Sequence, residues 1–176
     1  MVFVPDDADK VGVFDPATDT FTIVGDTISG GGYQYVGGVL LPSGKVVFVP
    51  SSADNVGIFD PATDTFSLVG DPISGLNKYW GGVLLPSGKV VFVPYGADKV
   101  GVFDPATDTF SLGPTIAGDR QYMGGVLLPS GKVAFVPYHA DKVGVFDPGS
   151  AAPAYTVSGG VPDAWRALLS PHFNKL

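Results

Sequence analysis

Gly81-Gly82-Val83-Leu84-Leu85-Pro86-Ser87-Gly88-Lys89-Val90-Val91-Phe92-Val93-Pro94 recurs unchanged at 37–50, and at 124–137 with Ala134 as its one difference. A stretch that returns this closely marks a repeat protein, and the repeat has to be read before any single element. The glycine pair is followed by an apolar run, a Pro-Ser-Gly turn and a second apolar run. Gly88 can take the positive φ that a tight hairpin loop demands. The stretch therefore predicts two short antiparallel strands, 82–85 and 89–93. The second is apolar on both sides, with Val90 and Phe92 to one and Val91 and Val93 to the other. Such a strand has to lie between two packed layers.

Working outward, a loop at 94–98 leads to a third strand at 99–103. The turn Asp104-Pro105-Ala106-Thr107-Asp108 then leads to a fourth strand at 109–112. That last strand alternates Phe110 and Leu112 with Thr109 and Ser111, the pattern of a strand wet on one side. The Asp-Pro pairs at Asp15, Asp60, Asp104 and Asp147 count four such units at steps of about 44 residues. Two inner strands dry on both faces and an outer one half wet describe the blade of a propeller. The fold class expected is all-β: a β-propeller of four-stranded blades, four per chain, forming a single domain over 1–176. Unit one opens at Met1-Val2-Phe3-Val4-Pro5, the equivalent of a second strand. Segment 165–176 resembles 80–90, with its Trp, Leu-Leu, Pro/Ser turn and Lys. It is expected to pair with the N-terminal blade and close the ring without a raw edge. A four-bladed monomer is expected, with a strand-exchanged pair of chains making eight blades as the alternative.

The totals agree with a folded domain. Charged residues are 15% and hydrophobic ones 45% of 176, which argues against disorder. Glycine (25) and proline (16) are frequent, but they fall at turns between apolar runs. With a net charge of −7 and no Lys/Arg run, nucleic acid is not expected as a partner. No apolar run reaches the roughly 18–20 residues of a membrane span. Neither membrane association nor a signal peptide is read at the N-terminus. Cysteine is absent, so disulfides and thiolate metal sites are excluded.

The doublets Gly37-Gly38, Gly81-Gly82 and Gly124-Gly125, each leading into an apolar strand, resemble kelch-type blades. The strings Leu-Pro-x-Gly-Lys-Val, Phe-Asp-Pro-Ala-Thr-Asp-Thr and Ser-Pro-His-Phe-Asn-Lys-Leu are similar to uncharacterised bacterial and phage propeller repeats. The resemblance implies the propeller fold along essentially the whole chain. It does not choose a function, because propellers host enzymes, lectins and scaffolds alike.

Comparison between units locates the candidate site. The turns joining strands 1–2 and 3–4 barely vary, whereas the 2–3 loops and the connections between blades differ in every unit. The two sets belong on opposite faces of a propeller. The varied set carries Tyr35, Asn77, Tyr79, Trp80, Tyr95, Arg120, Tyr122, Tyr138, His139, Trp165 and Arg166. Tyr and Trp give rigid amphipathic area at low entropic cost, and with Arg and Asn they suit recognition of a glycan or protein ligand. The Asp-rich turns lack the oxygen-ligand spacing of a calcium loop, and they read as side chains closing their own turns. No metal or other cofactor is expected. His139 and His172 stand with no evident nucleophile, so a non-enzymatic chain is expected. The alternative role is a structural or assembly module of a virion or cell-surface complex.

Overall fold

The computed structural model describes residues 1–149 and 154–160, and within them the regular structure is β-strand throughout. The first sheet has three strands: β1 (Val2–Phe3), β2 (Val11–Asp15) and β3 (Thr20–Val24). Three four-stranded sheets follow. The second holds β4 (Tyr35–Leu40), β5 (Val46–Pro50), β6 (Val56–Asp60) and β7 (Thr65–Val69). The third holds β8 (Tyr79–Leu84), β9 (Val90–Pro94), β10 (Lys99–Asp104) and β11 (Thr109–Thr115). The fourth holds β12 (Tyr122–Leu127), β13 (Val133–Pro137), β14 (Lys142–Asp147) and β15 (Ala154–Gly160). Every pairing is antiparallel between consecutive strands, so each sheet is a meander and each sequence unit is one blade. Among the described residues the first blade has three strands where the others have four. The strand expected at 165–176, and ring closure with it, lies outside the described residues.

The innermost strands begin three residues earlier than the hydrophobic run suggests. In the third blade Tyr79 faces Pro94 and Gly82 faces Phe92, so the inner strand carries one extra residue. This is a β-bulge, and Gly81 absorbs it with φ +99°. The second glycine of each doublet has a different task. A Cβ on Gly82 would lie 2.7 Å from Val39 Cγ2 and 3.1 Å from Val49 Cγ2, both on the preceding blade. Gly125 stands in the same relation to Val83 and Val93. One glycine bends the strand and the other lets the next blade approach.

Among the described residues the core forms three apolar layers, each shared by two blades. Between the second and third, Val39, Val47, Val49 and Ile58 meet Tyr79, Val90, Phe92 and Phe103. The layer between the third and fourth repeats this with Val83, Val91 and Val93 against Tyr122, Val133, Phe135 and Phe146. This explains why the second strand of a unit is apolar on both sides: each of its faces belongs to a different layer.

The constant turns are tied to one another. Lys45 reaches Asp60 at 3.3 Å, Lys89 reaches Asp104 at 3.2 Å and Lys132 reaches Asp147 at 3.0 Å. The other oxygen of each Asp-Pro carboxylate accepts a backbone N–H two residues on, as from Ala62 and Ala106 at 3.0 Å. The second aspartate of the turn, Asp64 or Asp108, takes the left-handed conformation at φ 54° or 53°. The turn residues are thus occupied with their own geometry.

Candidate functional site

On the opposite face, the 2–3 loops and the blade connections are laced by backbone hydrogen bonds. Gln34 N donates to Asp6 O, Ser51 N to Gln34 O, Lys78 N to Ser51 O and Tyr95 N to Lys78 O. The relay continues from Gln121 N to Tyr95 O and from Tyr138 N to Gln121 O. Each step alternates between a loop and the next blade's connection. Backbone here needs no particular side chain, so the residues on it are free to differ between units. Tyr33, Asn77 and Arg120 sit at equivalent left-handed positions, with φ 60°, 51° and 52°. Their carbonyls accept N–H groups of Ser52, Gly96 and His139.

The relay carries a run of touching rings over the third and fourth blades. Trp80 and Tyr95 have ring centroids 4.7 Å apart, Tyr95 and Tyr138 5.8 Å, and Tyr138 and His139 4.5 Å in a stacked arrangement. Tyr95 is buried, Trp80 and Tyr138 are half-buried, and His139 is exposed. Burial pushes the Tyr95 phenol above its usual value, with the nearby Arg120 guanidinium pulling the other way. Arg120 is itself exposed and pairs with Asp119 at 3.7 Å. A rigid apolar floor with a polar edge is therefore built from two blades.

A cleft of about 720 Å³ opens on the same face over the second blade. Asp26, Ser29, Tyr33, Asp54, Asn55 and Asn77 contribute to its lining, giving carboxylates, amides and hydroxyls around an open volume. Cleft and rings meet at Asn77, whose carbonyl takes the N–H of Gly96 beside Tyr95 at 2.8 Å.

The residue before each inner-strand tyrosine is a clamp that sequence reading missed. Gln34 Nε2 donates to Gly30 O at 3.0 Å, and Gln121 Nε2 to Asp119 O at 2.8 Å. Lys78, buried at the equivalent place, donates to Ala53 O at 2.9 Å and Gly75 O at 2.8 Å. Desolvation lowers its ammonium pKa, opposed by Asp54. The signal available in the sequence is that a long-chain donor precedes Tyr35, Tyr79 and Tyr122 in every case.

Of the residues expected at the site, Trp80, Tyr95, Arg120, Tyr138 and His139 come together, and Asn77 borders the cleft. Tyr79 and Tyr122 do not reach the face, and Tyr35 only borders the floor of the cleft. Each is 1% exposed, which corrects their assignment. Tyr79 packs on Phe92 and Phe110, and Tyr35 likewise on Phe48 and Phe66. Tyr122 packs on Phe135 and hydrogen-bonds the Tyr155 hydroxyl. The physical reason is the bulge: it starts the strand at the tyrosine, whose ring is turned into the blade to cover the outer-strand aromatic. Trp165 and Arg166 lie outside the described residues.

No family model matches the sequence, and no curated protein matches it by sequence. Solved structures do resemble it. A streptogramin B lyase superposes with TM-score 0.74 at 13% identity, over 92% of this chain and 51% of that one. Virginiamycin B lyase from Staphylococcus aureus, a catalytically inactive H270A form with quinupristin, gives 0.71 at 11%, over 88% and 50%. An auxiliary nutrient binding protein from Bacteroides ovatus gives 0.64 at 16%, over 91% and 39%. The chain has a propeller-like repeat fold. It spans about half the length of the lyases it resembles. This overturns the expectation of a non-enzymatic chain, since the fold is one on which a lyase is built. At 11–13% identity the likeness carries the fold and transfers none of the lyase's chemistry to these residues.

Proposed function

We propose that the diversified face recognises a glycan, using the Trp80–Tyr95–Tyr138–His139 rings as a platform and the neighbouring polar cleft for its hydroxyl groups. The observation that carries this is the continuity of four rings across two blades on the face where the units differ. A sugar offers an apolar C–H face to stack and a rim of hydroxyls to hydrogen-bond, and the surface offers both counterparts side by side. A protein ligand uses the same aromatic area, with Arg120 at its margin. Resembling folds include a nutrient binding protein and a lyase held with quinupristin, so ligand binding has precedent on this architecture.

The test begins with a glycan array and continues with fluorescence titration of the saccharide found. Trp165→Phe leaves Trp80 as the single indole reporter, since the chain has two tryptophans. Saturable quenching is expected, with affinity falling about tenfold or more in Tyr138→Ala by the same readout and in Trp80→Ala by titration calorimetry. A blank array from folded protein overturns the glycan reading, and binding that survives both substitutions overturns the location.

A further inference from the structure

Each contact between successive blades is made from two kinds of face. The forward face presents aliphatic residues, as Val39, Val47 and Val49 do in the second blade. The backward face presents aromatics, as Phe92, Phe103 and Phe110 do in the third. An array of four blades built this way ends in one face of each kind. Val136, at the position of the fully buried Val49 and Val93, is 44% exposed, and Val126 beside it is 57% exposed. At the other end Phe3, at the position of the fully buried Phe48 and Phe92, is 48% exposed. Phe21, equivalent to the partly buried Phe66 and Phe110, is 57% exposed. The two ends are the two halves of a contact that the chain already makes three times.

We propose that a second copy of the chain covers both ends. The forward face of one copy packs on the backward face of the other, and a two-fold axis repeats the contact, so that two copies complete one ring of eight blades. A head-to-tail contact of this kind is self-limiting when its rotation closes. Apolar areas of this composition, left open on a folded unit, call for a partner. A second copy is favoured because each open face finds its complement, residue type for residue type, on the opposite end of the same chain.

From each blade the chain passes from the outer strand to the inner strand of the next, as from β3 to β4 and from β7 to β8. Among the described residues the first blade has no inner strand, and Leu40, equivalent to the half-buried Leu84, is exposed and extends the open apolar surface.

Sedimentation velocity and light scattering across a wide concentration range test the proposal on the whole chain. The expected result is one species at twice the 18.2 kDa of a single chain. A species of one chain mass at all concentrations overturns it, and so does growth without limit, which denotes an open fibre. Val136→Lys and Phe21→Lys each place an unpaired charge in one half of the contact. Each is expected to raise the dimer dissociation constant by about 100-fold or more, with the far-ultraviolet spectrum unchanged. Mixing the two variants restores one sound contact and is expected to recover part of the dimer. Should both variants unfold, two copies fused in tandem serve instead. The fusion is expected to remain a single particle, and fused chains that associate further overturn the closed ring.

Discussion

Val39 of the second blade seats a methyl carbon 2.7 Å from the point at which Gly82 of the third would carry a Cβ. The neighbouring Val49 methyl lies 3.1 Å from the same point, and Val83 and Val93 treat Gly125 alike. The absent side chain is what sets how near one blade lies to the next. Gly82→Ala should therefore lower stability by about 1–3 kcal/mol through overpacking. Val39→Ala also destabilises when made alone, by opening a cavity. Together they should cost less than the sum of the two, because the smaller residue at 39 makes room at 82. Urea unfolding of the two single variants and the double reads this coupling directly; strict additivity would mean that the contact does not limit the approach.

Much of this architecture was legible because the chain repeats. Gly88 and Pro86 placed the hairpin, and the double-sided run at 90–93 required a layer on each side. What the sequence hid are relations that depend on register. Tyr79 looked like a loop aromatic, since it precedes the glycine doublet; the bulge at Gly81 makes it a core residue instead. The pairing of Lys89 with Asp104 required knowing that the two turns lie on one edge of the sheet. Those residues do recur together in three units, and that joint recurrence was the available clue. The ring platform was only half visible. Trp80 and Tyr95 could be placed on one face, but contact between Tyr95 and Tyr138 comes from the spacing between blades.

Lys78 offers a cleaner separation of charge from hydrogen bonding. Its ammonium is buried without a carboxylate contact and serves two carbonyls, while the equivalent positions use glutamine. Lys78→Gln should leave stability within about 1 kcal/mol of the parent, or above it, because one donor is kept and the buried charge is gone. Lys78→Met, which leaves both carbonyls unpaired, should cost about 1–3 kcal/mol. Because the folded pKa is lowered, the charged form is penalised in the folded state at neutral pH. That penalty fades as pH rises toward the ordinary lysine value of 10.5, so the gap between Lys78→Gln and the parent should narrow there. Thermal unfolding at a series of pH values is the measurement.

At alkaline pH the buried tyrosines dominate. Desolvation pushes the Tyr35, Tyr79 and Tyr122 phenols well above their ordinary value of 10.0, with Asp98 adding to the effect at Tyr79. A folded pKa above the unfolded one gives stability that is complete below pH 10 and is lost as pH climbs toward the folded value. The melting temperature should thus fall steeply beyond about pH 10, the unperturbed phenol range. Tyr79→Phe should flatten that fall while changing neutral-pH stability by only about 1 kcal/mol, the worth of one hydroxyl contact. An unchanged alkaline slope would show that Tyr79 ionises without unfolding.

In acid the constant face should respond instead. The backbone N–H of Ala106 and then the Lys89 ammonium hold the Asp104 carboxyl below the usual carboxylate range. At Asp147 the order is Lys132 and then Gly149, and at Asp15 the N–H of Ala17 leads. A depressed folded pKa gives stability that is present above about pH 4 and disappears as pH falls through the folded value. Lys89 is exposed and Asp104 half-buried at the surface, so the solvent-screened ion pair itself is worth little. Lys89→Met should cost no more than about 1 kcal/mol, and less as salt is raised. The turn bond is the larger part. Asp104→Asn keeps an acceptor for Ala106 and should resemble Lys89→Met, whereas Asp104→Ala loses both partners and should be the least stable of the three. Melting curves between pH 7 and pH 3 would rank them, and a ranking led by Lys89→Met would assign the turn's constancy to charge instead of to its backbone bond.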